Sequence, residues 1–82
     1  MNVNVRYFAA ARAAAGMDGE TVTLAPGASV ADLVTALRTR GGDLSTVLDR
    51  CSFLCDEMAV RDMAKTLQTN QTVDVLPPFA GG

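Results

Sequence analysis

The residues whose types and spacing suggest chemistry stand at the end of the chain, Pro77-Pro78-Phe79-Ala80-Gly81-Gly82. Proline has no N–H and a fixed φ, so Pro77 and Pro78 end strand pairing and stiffen the residues beyond them. In a polyproline-like form at ~3.1 Å per residue, residues 77–82 would project about 19 Å from the domain. Glycines lack a Cβ, so Gly81 and Gly82 can pass a narrow channel and take backbone angles that other residues resist. Gly82 is expected to carry a free, unhindered main-chain carboxylate. Such a group is inert until activated, most simply as an acyl-adenylate made with ATP by a partner. The rival reading is a frayed end without function. The strand-like run and the Pro-Pro stalk in front of the glycines favour the functional one.

Composition narrows the remaining chemistry. Histidine is absent, which removes a His-based triad, a neutral base titrating near seven and an imidazole metal site. Two cysteines cannot supply a four-thiolate zinc or iron–sulfur site. Read on one strand at ~3.3 Å per residue, Cys51 and Cys55 stand about 13 Å apart, beyond the ~7 Å limit for a disulfide. They then share a face with Phe53 as small core hydrophobes. Asp43, Asp49, Asp56, Glu57, Asp62 and Asp74 are scattered rather than paired at metal or glycosidase spacing, and read as solvated surface. No bound metal or cofactor is expected.

The seven Lys and Arg form no run, and the net charge is −2; nucleic acid would need a basic footprint. No apolar run approaches the ~20 residues of a membrane span. The Ala-rich stretch 9–15 is split by Arg12 and preceded by strand-like residues, so a cytoplasmic protein starting at Met1 is expected rather than a signal peptide.

The positioning elements emerge from periodicity. With 82 residues, the chain is one domain, expected to bury roughly 60–65% of its unfolded surface. We divide it into a body, residues 1–76, and an extended tail, residues 77–82. Residues 3–8 alternate, with Val3, Val5 and Tyr7 on one face of a first strand. "AAARAAAG" is a short helix stopped by Gly16, and "ETVTL" (20–24) is a strand pairing back on the first. Ser29 caps the main helix with Asp32 three residues on. Val30, Leu33, Val34 and Leu37 form its apolar stripe. Arg38 and Arg40 occupy its last turn, and Gly41 and Gly42 end it.

Residues 43–50 read as a further short helical turn. "CSFLC" is a strand turning near "DE" toward "MAVR", and "VDVL" (73–76) is the last strand. Met58, Met63 and Phe8 fit either an exposed contact patch or core filling. The expected fold is α+β, a mixed four- to five-stranded sheet with one main helix on one face and the first and last strands central. A β-grasp-like roll is one topology that satisfies this order.

Three segments carry a resemblance to a known family: "VRYFAAARAAAG" (5–16), "PGASVADLVTAL" (26–37) and "DVLPPFAGG" (74–82). End to end, the chain resembles the ubiquitin-like sulfur carriers, in particular the small subunits of molybdopterin synthase. Ala13, where family members often carry an acidic residue, and Asp56-Glu57, where an Asn-containing turn is common, depart from the pattern.

The resemblance implies a ubiquitin-like β-grasp fold. It implies that the Gly82 carboxylate is adenylated by an ATP-using, ubiquitin-activating-like adenylyltransferase. A sulfurtransferase or cysteine desulfurase would supply the sulfur of the resulting thiocarboxylate. The tail would then enter the large synthase subunit, in a heterotetramer, and donate sulfur to a pterin precursor. Gly81 and Gly82 take the functional role; Pro77, Pro78, Phe79 and Ala80 match the flanking tail that partners grip. A carrier for thiamine thiazole synthesis and a modifier joined to lysine are the alternatives. "AAARAAAG" weighs against the thiazole carriers, which are typically shorter.

Overall fold

Strict alternation in β1 (Asn2–Tyr7) sends Val3, Val5 and Tyr7 to one side, where all three are buried, and Asn2, Asn4 and Arg6 to the other. The structure, a computed structural model, describes residues 1–78. After β1 come α1 (Ala9–Ala15), β2 (Gly19–Thr23), α2 (Val30–Arg38), α3 (Gly42–Leu48), β3 (Ser52–Cys55), β4 (Met58–Ala59) and β5 (Thr72–Leu76). The strands form one mixed sheet in the order β2-β1-β5-β3-β4. β5 is central, parallel to β1 and antiparallel to β3. The expectation of central first and last strands is met: Val73 and Val75 are fully buried, as a strand paired on both edges and covered on one face requires.

One face of the sheet carries the core. Val3, Val5, Tyr7, Phe53, Cys55, Val73 and Val75 meet Val30, Leu33, Val34 and Leu37 of α2, with Leu44 and Leu48 of α3 and Ala11 of α1 completing the layer. Each buried aliphatic side chain contributes about 1.5–3 kcal/mol of transfer free energy. The cap of α2 is a complete capping box: Ser29 Oγ accepts from the Asp32 N–H at 3.1 Å, and Asp32 Oδ2 accepts from the Ser29 N–H at 2.8 Å. α1 has no side-chain cap and leans on α3, as a seven-residue helix must. Gly16 closes it at φ 75° with its N–H on the Arg12 carbonyl. Gly19 is required sterically, because a Cβ there would stand 2.5 Å from the Val5 carbonyl oxygen.

The structure departs from the sequence reading in several places. β1 stops at Tyr7, and Phe8 becomes the N-cap of α1. The chain turns there through Ala9 at φ 50°, a left-handed conformation that costs roughly 1–2 kcal/mol for a residue with a Cβ. α2 ends at Arg38, and Gly41 and Gly42, at φ 72° and 57°, swing the chain directly into α3. Arg38 ties the two helices, donating to the Ser45 carbonyl at 2.8 Å and pairing with Asp49 Oδ1 at 2.6 Å.

Cys51 lies before β3 rather than on it, its thiol hydrogen-bonded to the Val47 carbonyl, while Cys55 is in the core. The two therefore do not share one strand face; both are free thiols. Burial pushes both thiols up, and Asp56 adds to the effect at Cys55.

The reading of the acidic residues as solvated surface fails at Asp74, which is 5% exposed. A buried carboxylate needs a partner, and Arg6 on β1 provides it. Asp56 is also engaged. Its Oδ1 accepts from the Thr72 N–H at 2.9 Å and its Oδ2 from Gln71 Nε2 at 3.2 Å. Asp56 and Glu57, at φ 48° and 70°, form the two-residue turn between β3 and β4, the backbone sense that favours Asn or Asp first.

Candidate functional site

The site begins where β5 runs out. Tyr7 pairs with Val75 and Ser52 with Leu76, the last registered positions on either side. One further bond extends the pairing, from the Phe8 N–H to the Val75 carbonyl at 3.2 Å. Beyond Leu76, prolines offer no donor. Pro77 is half-buried against the body, and Pro78 is exposed. Because β1 and β5 are parallel, the chain leaves the sheet at the same end as Phe8. Pro77 and Pro78 thus form the root of the chain's last stretch, directly after β5. Phe79, Ala80, Gly81 and Gly82 lie outside the described residues.

Beside this root, on the sheet face opposite the core, is a group that sequence reasoning missed. Arg6 and Asp74 are directly paired in register. Arg6 Nε donates to Asp74 Oδ1 at 2.6 Å and Nη2 to Oδ2 at 2.8 Å. These bonds to Asp74 and the charge of its carboxylate raise the Arg6 pKa further, with Glu57 adding in the same direction. The same guanidinium lies over the Phe8 ring, 5.5 Å from its centroid. The signal was present: "VRY" and "VDV" each set one charge between two core residues, on strands expected to be central. Only pairing in register turns those two charges into a fork.

Phe8 is 39% exposed and Met58 72% exposed, and Met63 is also exposed, so none of the three fills the core. Among the described residues, no group of three or more His, Cys, Asp or Glu is placed to hold a metal ion, and no helix is long and apolar enough to cross a membrane.

The family model described as the ThiS family matches residues 5–82. The chain belongs to the ThiS family. As a member it is a ubiquitin-like sulfur carrier. This ThiS-family chain is 32% identical over 83 residues to the molybdopterin synthase sulfur carrier subunit of Chlamydomonas reinhardtii, covering 100% of both. Among solved structures, it superposes with TM-score 0.87 and 28% identity on molybdopterin converting factor subunit 1 of Pyrococcus furiosus, over 96% of this chain and 99% of that one. SAMP1 of Haloferax volcanii gives TM-score 0.87 at 22% identity, with full coverage of both. The complex of subunits 1 and 2 of the molybdopterin-converting factor of Helicobacter pylori gives 0.76 at 20%, also with full coverage. The last two speak to fold, and the fold is the ubiquitin-like β-grasp expected from the sequence.

Proposed function

We propose that this carrier serves molybdenum cofactor biosynthesis, with Gly82 as its acyl group. The observation that carries the reading is the end-to-end match to a molybdopterin synthase sulfur carrier subunit. It takes in the final strand and the "PPFAGG" tail. An oxygen of the Gly82 carboxylate attacks the α-phosphorus of ATP on a ubiquitin-activating-like adenylyltransferase, and pyrophosphate leaves. A persulfide carried by a sulfurtransferase or cysteine desulfurase then attacks the acyl carbon and displaces AMP, giving an acyl disulfide. A thiol attacks the enzyme-side sulfur, so that the S–S bond breaks, the thiocarboxylate leaves and a new disulfide forms. Gly81 keeps the approach unhindered, and Pro77, Pro78, Phe79 and Ala80 form the stretch that receiving enzymes hold.

The names of the relatives support a synthase partner, and we place the charged tail in a large synthase subunit of a heterotetramer, passing sulfur to a pterin precursor. The body, residues 1–76, contributes recognition and the tail, residues 77–82, the chemistry. ATP is used on the activating partner, and the setting is cytoplasmic.

Coexpressed with its activating enzyme and a sulfur source, the chain is expected to gain the mass of one oxygen-to-sulfur exchange at its C-terminus, read by intact-protein mass spectrometry. An unchanged mass, under conditions that label a known carrier, would overturn the reading. The likeness to SAMP1 favours a second reading, a modifier joined to lysine through Gly82; lysine-linked adducts on a blot would establish it. The thiazole carrier remains the alternative within the same chemistry. The presence of α1 between the first two strands favours the molybdopterin branch.

A further inference from the structure

Arg6 and Asp74 take no part in the chemistry proposed for Gly82, yet their ion pair is more completely built than an exposed pair. Both oxygens of the buried carboxylate are used on one guanidinium. A fork of this kind fixes the plane of the guanidinium as well as its position. The guanidinium so held has its Cζ over the Phe8 ring, 5.5 Å from the centroid, an attraction that a cation gains from an aromatic face. Phe8 in turn donates its N–H to the carbonyl of Val75, the residue after Asp74. These contacts close a loop, Asp74 to Arg6 to Phe8 to Val75, across the parallel strands at the end where the stalk begins. Past that loop the two prolines have no N–H to bond with, so the geometry of the exit is set at and before Leu76.

We propose that Arg6 and Asp74 are positioning residues: through Phe8 and Val75 they hold the end of β5 in one arrangement, so that the stalk meets its activating enzyme at a set angle. The proposal rests on the reading of Gly82 as the adenylated group. Neither residue touches the reacting atoms. Their loss acts on capture of the carrier, raising its KM, while kcat at saturation stays the same. A purely structural ion pair behaves differently: once stability is restored by other means, KM returns to its original value.

The test is ATP–pyrophosphate exchange by the adenylyltransferase of the same host, with carrier concentration varied and melting followed in parallel. R6M/D74L replaces the pair by apolar side chains, a change that often preserves stability. It is expected to keep the wild-type melting temperature and to raise KM about tenfold at unchanged kcat, as slight misplacement of a positioned group does. R6K keeps the charge but loses the fork and the flat stacking surface; its KM is expected to rise in the same direction. Wild-type KM in folded R6M/D74L, or in R6K should the double variant not fold, overturns the proposal alone. A wild-type carrier that supports no exchange at all overturns the Gly82 reading and this proposal with it.

Discussion

The hydroxyl of Tyr7 donates to Glu20 Oε2 at 2.6 Å, and the other oxygen of that carboxylate pairs with Arg40. Tyr7 is in β1, Glu20 in β2, and Arg40 just beyond α2, so one carboxylate joins the edge of the sheet to the end of the main helix. Burial raises the Tyr7 pKa, and Arg40 opposes part of that rise. The folded state therefore favours the neutral phenol. Its contribution is full below the unfolded value of about 10 and is lost as pH rises through the higher folded value. The thiols of half-buried Cys51 and buried Cys55, both raised by burial, act with the same sign from about pH 8.5 upward. Urea unfolding should show stability falling above about pH 9. Tyr7→Phe should cost about 1–3 kcal/mol at neutral pH, from the lost bond to a charged acceptor. The difference from wild type should narrow above about pH 10; a constant gap would contradict the assignment.

Arg6→Ala and Asp74→Ala remove the same ion pair but leave different remainders. Without Arg6, Asp74 is a buried carboxylate with no counter-charge, which is costly. Without Asp74, the Arg6 side chain, already 54% exposed, turns into water. Arg6→Ala is therefore expected to lower the melting temperature more than Asp74→Ala. Equal melting temperatures would argue against the burial of Asp74.

Leu33 is fully buried at the centre of the α2 stripe. Leu33→Ala should destabilise by about 2–5 kcal/mol, from lost transfer free energy and the cavity left behind. The expected signature is a lower urea midpoint with an unchanged m-value.

The capping box makes a smaller, separable contribution. Ser29→Ala leaves the Asp32 N–H without its acceptor and should cost about 1 kcal/mol, whereas Ser29→Asp should restore most of that loss. Helix content by circular dichroism and thermal midpoint together check it. Ser29→Ala with wild-type stability would show that the box is redundant with the packing of the stripe.

At Gly19 the obstacle is backbone rather than side chain. A methyl group there meets the Val5 carbonyl oxygen, so Gly19→Ala must open the β1–β2 ladder. We expect a loss of about 1–3 kcal/mol, the usual range for overpacking. Amide hydrogen exchange should show it first in β2, the edge strand.

Local signals were sufficient for much of this molecule. The Val30-Leu33-Val34-Leu37 stripe, the Ser29–Asp32 cap and the Gly16 stop are relationships between near neighbours in the chain, and the structure realises each of them. The alternation in "VNVRY" and "TVDVL" likewise settled which side chains enter the core, because a strand's faces are assigned by parity alone. The proposal for Gly82 rests on residue types in the "PPFAGG" tail that need no fold to be read, and Phe79 to Gly82 lie outside the described residues.

Parity also left Arg6 and Asp74 on the outer face, and there the chain by itself says nothing more. Whether they meet depends on a register between strands 68 residues apart, and a slip of one position would have sent them to opposite faces. Burial of Asp74, the Tyr7–Glu20–Arg40 junction and the departure of Cys51 from β3 are likewise decisions of tertiary structure. Local propensity acts over a few residues. A charge becomes an ion pair, or an aromatic ring a brace, only when the packed sheet brings distant segments within bonding distance.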